Sequence, residues 1–161
     1  MAPGTIEVDD RESPLLRIVF PAVVTRASVD AYVEALREQG ERRIPLWTLI
    51  DLRSVDLRAV DGRARHYLVE RLDELQDLYP DAIQGEACIS NSLVVRMLYR
   101  THTWLRRSQP YPSQIFATEA DALTWIRECI ARGPRKTARS GLVARTLSKT
   151  ARRASPMANT R

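Results

Sequence analysis

The chain reads as a single α/β domain on a mixed, mostly parallel sheet, with elements in the order β-β-α-β-α-β-α-β-α. Three observations predict this. Short apolar runs alternate with segments whose apolar residues recur every three or four positions, and the loops between them are brief. The 161 residues are enough for one domain with a core and too few for two ordinary ones. Residues 46–51, LWTLID, are a near-continuous apolar run, as expected of a central strand covered on both faces.

The elements follow in order. Residues 4–9 alternate and read as a first strand, 10–13 as a turn and 15–20 as a second strand, so the two form a hairpin that Pro21 ends. Val29, Tyr32, Val33 and Leu36 fall on one helical stripe, which predicts a helix over 28–39 with Ser28 as N-cap and Gly40 as a left-handed stop. After the strand at 46–51, a helix over 61–78 places Ala64, Leu68, Leu72, Leu75 and Tyr79 inward. Residues 86–90, EACIS, read as a buried strand. Ser90, Asn91 and Ser92 then supply capping chemistry for a helix reaching about residue 105, with Leu93, Val94, Met97, Leu98 and Thr101 expected inward. A loop with two prolines leads to a short strand at 114–117. Thr118 and Asp121 make a capping-box variant for a last helix over 119–131, which buries Ala122, Leu123, Ile126 and Ile130.

Gly133-Pro134 marks the domain boundary. Residues 1–131 form the domain, and 132–161 are expected to be a disordered tail, because their few apolar residues cannot build a second core. The net charge of +5 belongs to that tail, which holds nine of the 25 basic residues and none of the 20 acidic ones. The body is mildly acidic. Cys88 and Cys129 lack a CxxC spacing and read as free buried thiols, which fits a reducing cytoplasm. No leader-like segment and no transmembrane run is expected, and the protein is read as cytoplasmic.

No catalytic motif stands out. GxSxG, GxGxxG and GxxxxGK[ST] are all missing, and His66 and His102 have no metal-ligand spacing, so no catalytic residue, no metal and no cofactor is assigned. Trp104, Tyr111 and Trp125 flank the two-proline loop; they read as packing for the last helix or as an aromatic rim for a partner or acyl chain.

The strand at 49–52, Leu-Ile-Asp-Leu, followed ten residues later by Asp61-Gly62, resembles the switch segment of STAS domains, the anti-sigma-factor-antagonist family. A second resemblance, over about residues 5–131, is to small STAS/SpoIIAA-like proteins of bacteria, an uncharacterised branch. It is carried by RIVFPAVVTRASVDAYVEAL, LWTLIDLRSV, ACISNSLVVRMLYRTHTWL and PYPSQIFATEADALTWI. The resemblance implies a STAS-like single domain and a non-enzymatic regulatory module. Its protein partner would be an anti-sigma-factor-like kinase or another regulator. The family's loop usually ends in Asp-Ser-Ser-Gly, whose serine accepts a phosphate. Here the matching residues are Ala59-Val60-Asp61-Gly62, so the phospho-acceptor is missing.

Two surfaces follow as candidates. The partner-facing one is the 53–60 loop and the following helix start: Arg53, Ser54, Asp56, Arg58, Asp61 and Gly62. Asp61 is either an ordinary helix-start acid or a fixed negative charge in place of a phosphoserine, although one carboxylate copies a phosphate poorly. The second comprises Ser90, Asn91, Ser92 and Arg96, just past a buried strand, where open α/β sheets bind anions and small ligands; simple capping is the ordinary reading. A small-molecule or lipid-binding module using this second surface is the alternative function. Weak attraction of the basic tail to nucleic acid or anionic membrane is a further one.

Overall fold

A computed structural model describes residues 4–56, 62–97, 99 and 111–133. Strands β1 (Glu7–Asp9) and β2 (Leu15–Val19) form the expected antiparallel hairpin, with Val8 opposite Ile18. Strands β3 (Leu46–Asp51), β4 (Ile83–Ile89) and β5 (Ser113–Phe116) are each added parallel, giving the order β1-β2-β3-β4-β5. The helices are α1 (Arg26–Glu41), α2 (Gly62–Leu78), α3 (residues 93–97) and α4 (Glu119–Arg132). The element order is the predicted one.

Adding parallel strands in chain order by crossovers of one hand puts every crossover helix on the same face. The cores show the result. Ile18, Leu46, Ile50, Cys88 and Ile115 pack with Val29, Val33 and Leu36 of α1, Leu72 and Leu75 of α2, and Val95 of α3. On the other face Trp47, Leu49, Ala87 and Ile89 meet Ala122, Ile126 and Cys129 of α4. Alternate residues of β3 therefore enter different cores, which is why its sequence is a near-continuous apolar run rather than alternating.

Several local expectations are corrected. The α1 cap is Thr25, not Ser28. Ser28 occupies the third helical position and closes a capping box: Thr25 Oγ1 accepts from the Ser28 N–H, and Ser28 Oγ accepts from the Thr25 N–H. Gly40 is not a left-handed stop. It lies inside α1, and the left-handed residue is Arg43, with φ of 56°. Gly40 is needed for space instead, since a Cβ there would stand 2.8 Å from the Tyr79 ring. Strand β1 starts at Glu7 and β4 at Ile83, later and earlier than the alternation implied. In α4 the buried stripe runs Ala122, Ile126, Cys129, while Ile130 faces solvent.

The largest reversal is in α3. Val95 is the buried residue, whereas Leu93, Val94 and Met97, all expected inward, are 64%, 60% and 62% exposed. Leu98 and Thr101, assigned to the same inward stripe, lie outside the described residues, as does the tail beyond Gly133.

Candidate functional site

Strand β3 ends at the carboxyl edge of the sheet, where α1, α2 and α3 all begin. Its last residue, Asp51, turns the chain locally. The carboxylate accepts from the Arg53 backbone N–H at 2.9 Å and from Arg53 Nε at 2.9 Å. Burial pushes the Asp51 carboxyl up, but the Arg53 guanidinium and backbone N–H outweigh this and hold it below the ordinary carboxylate value. Around this ion pair the stem of the loop is stitched to both neighbours. The Leu52 N–H donates to Ile89 O at 2.9 Å, the Phe20 N–H to Asp51 O at 3.0 Å, and the Asp56 N–H to Ala22 O at 2.8 Å. Arg53, Ser54 and Asp56 are thereby displayed, exposed, on a stem held by backbone hydrogen bonds.

Arg53 also lies 3.6 Å from Glu119, the first residue of α4, and Glu119 pairs with Arg17 of β2. Asp51, Arg53, Glu119 and Arg17 thus form a neutral chain of charges joining β3, the loop, α4 and β2. Exposed or half-exposed pairs of this kind contribute about 0–1 kcal/mol each, so the network orients more than it stabilises. On the other side of the edge the Arg26 guanidinium lies 4.3 Å from the centre of the Tyr67 ring, and Tyr67 donates its hydroxyl proton to Asp30. This ties the first two turns of α1 to the second turn of α2.

Of the first candidate set, the structure brings Arg53, Ser54 and Asp56 together on the loop stem, and Gly62 opens α2. Arg58 and Asp61 lie outside the described residues. Of the second set, Ser90 is fully buried, Ser92 and Arg96 are half-buried and Asn91 is exposed. Their polar groups serve the chain itself. Ser90 Oγ accepts from the Ser92 N–H at 3.3 Å, Ser92 Oγ accepts from the Val95 N–H at 3.3 Å, and Arg96 donates to Ser90 O at 3.3 Å. That is capping geometry. The aromatic group divides: Tyr111 enters the core under α1–α3, while Trp125 stacks edge-on against Trp47, 6.2 Å between centroids, beneath α4. Trp104 and His102 are outside the described residues, and His66 pairs with Glu70 at 3.2 Å on the surface of α2. Among the described residues no group of three or more His, Cys, Asp and Glu is placed to hold a metal ion, and no helix is long and apolar enough to cross a membrane.

Sequence reasoning missed two features. Arg17 and Glu119 complete the charge network, although they lie 102 positions apart. The other is Glu86, 5% exposed in β4. Its carboxylate accepts from Tyr99 and, at 3.1 Å, from Ser113 Oγ, with Tyr32 Oη at 3.5 Å and Cys88 Sγ at 3.8 Å. Burial, and then the neighbouring Glu86 charge, push the Cys88 thiol well above its ordinary value; burial, with Cys88 and Glu86 adding to it, does the same for Tyr99. The available signal was the lone acid inside the otherwise apolar run at 83–89.

No protein-family model matches this sequence, and no curated protein matches it. Among solved structures, the chain is similar to an uncharacterized protein of the DUF3478 family, with a SpoIIAA-like fold, from Shewanella loihica PV-4. The two superpose with a TM-score of 0.52 at 16% sequence identity, over 75% of this chain and 91% of the other. The five-stranded, mostly parallel sheet with its helices is a SpoIIAA-like fold, the STAS-like architecture expected from the residues around Asp51.

Proposed function

We propose that this chain is a non-enzymatic, STAS-like regulatory protein that acts by binding another protein through the β3–α2 segment, without phosphorylation at position 61. The observation that carries the reading is the loop stem. Backbone hydrogen bonds to β4 and to the segment after β2 hold it, and the Asp51–Arg53 pair aims it, while Arg53, Ser54 and Asp56 face solvent. A rigid stem with exposed polar side chains suits recognition by a partner that reads position and charge. Residue 61 is an aspartate and has no hydroxyl to phosphorylate, so partner exchange would be governed by partner concentration or by another modification. The fold similarity supports a regulatory domain of this type at the level of architecture.

The test is site-directed photo-crosslinking. Ser54→Cys and, at the opposite edge of the sheet, Asp81→Cys are each labelled with a photoreactive maleimide, both native thiols being buried. Each is irradiated in lysate of the source cell. A discrete protein adduct from position 54, lost in the Arg53→Ala background and not formed from position 81, is the expected result. Equal or no crosslinking at the two positions overturns the reading.

A further inference from the structure

We propose that the half of the sheet face left open by α4 is a docking surface for the chain's own C-terminal segment, residues 134–161. On the face opposite α1–α3, α4 covers Trp47, Leu49, Ala87 and Ile89 of β3 and β4. The same face of the hairpin carries Glu7 paired with Val19, and Asp9 paired with Arg17. Val19 joins neither described core, and this set meets α4 through the Arg17–Glu119 ion pair. Glu7 is exposed, while Asp9, Arg17 and Val19 are half-buried. A cleft of about 520 Å³ lies here, with Glu7, Asp9, Asp10, Arg11, Arg17 and Val19 in its walls.

The charges of this face select a cationic occupant. Asp9 is met by Arg11 at 2.6 Å, and Arg17 by Glu119. The hairpin's remaining carboxylates are Glu7, Asp10 and Glu12. Among the described residues only Asp10 of these three has an ion-pair partner, Arg42 at 3.5 Å. Nucleic acid is repelled by that excess, and an apolar ligand meets charged walls. A second copy seated by the same face brings the same surplus carboxylates to both sides of the interface.

The direction of α4 brings such an occupant to the cleft. Its Thr118 cap follows the end of β5 within two residues, so the helix runs back from the carboxyl edge of the sheet to the amino edge. Cys129 in its last turn accordingly shares a core with Trp47, near the start of β3. At that edge β1 ends and β2 begins. The open strands lie within three strand spacings of the helix, about 15 Å, which roughly five extended residues span. Residues 134–161 carry eight Arg and Lys and no acid. Tethering beside the cleft gives them a local concentration on the order of millimolar, which a free cationic protein does not match. Exposed ion pairs are individually weak, so the docking is shared among several and is salt-sensitive. It does not rest on the loop-stem reading, and its failure leaves that reading untouched.

Carbodiimide coupling of the full chain tests it, because both lysines, Lys136 and Lys149, lie in this segment. The reagent joins an amine only to a carboxylate in direct contact, so mass spectrometry of the linked peptides maps where the segment sits. Links from the two lysines are expected on Glu7, Asp9, Asp10 and Glu12 at least about threefold more often than on Glu70, Asp73, Glu74 and Asp77 of α2. They should decrease by about threefold or more in about 0.5 M sodium chloride. In an equal mixture of unlabelled and isotope-labelled protein they should join peptides of one chain. Glu7→Arg, at an exposed position, should keep the parent circular dichroism and lower the links to Asp10 and Glu12 by about threefold. The parent's own map decides the case if that variant misfolds. Links spread evenly over the hairpin and α2 overturn the proposal, as do links unaffected by salt, links unaffected in folded Glu7→Arg protein, or no links at all. Links that mix the isotopes overturn it in favour of a second copy.

Discussion

At the scale of single residues, space and charge decide more than propensity does. Gly85 faces Trp47 across β3 and β4, beside a shift in their register, and a Cβ there would stand 2.1 Å from the indole ring. The glycine lets Trp47 lie flat beneath α4 and meet Trp125. Gly85→Ala must displace that ring within a packed core. Overpacking of this kind costs about 1–3 kcal/mol, so a drop of that size in urea unfolding is expected, with an unchanged m-value. Nothing in the sequence singled out Gly85, because its role is set by a residue 38 positions earlier. Asp51 was legible, because an acid closing an apolar strand stands out. Its partner Arg53 was named only as a partner-binding candidate, not as the cation that holds Asp51 ionised.

At the scale of elements, Glu86 is the anchor that ties Tyr99, just beyond the first turn of α3, and Ser113 of β5 to β4. Among the described residues its buried carboxylate meets no cation and takes hydroxyl donors from Tyr99 and Ser113. Tyr99→Phe removes one donor and leaves the acceptor buried, which should destabilise the fold by about 1–3 kcal/mol near neutral pH. The pH dependence has a definite sign. Cys88 and Tyr99 ionise well above their ordinary values of 9.0 and 10.0, so the folded protein holds their protons longer than the unfolded chain does. Their contribution to stability is complete below pH 9 and declines as pH rises beyond it. Thermal melts from pH 8 to 11 should show a smaller alkaline decline in Tyr99→Phe than in the parent; equal declines would remove Tyr99 from the account. Element types were legible for α1, α2 and α4, whose solvent faces are polar. The inward face of α3 was read wrongly because periodicity reports which apolar residues share a side, not which side meets the core. Val95, outside the predicted stripe, is the residue that packs.

At the scale of the whole molecule, both described cores are complete before Gly133, which caps α4 with φ of 77°. A chain truncated after Gly133 should therefore fold, keep its circular dichroism and melt within about 4 °C of the full protein. A loss several times larger would mean that residues 134–161 carry part of the stability. Removing them also removes the positive charge that gives the chain its pI near 9.7, and the remaining body should migrate as a mildly acidic protein.

By itself the sequence determined the element order and the central strand with its two-sided burial. These depend on local periodicity and on short connections of fixed hand, which the chain carries in its own order. Only the tertiary structure decided which face of α3 meets the core, that Glu86 gathers donors from three elements, and that Arg17 and Glu119 close the charge network at the loop stem. Those features join residues that are distant in the chain. They exist only once the strands have set their register, and no spacing within a single segment encodes them.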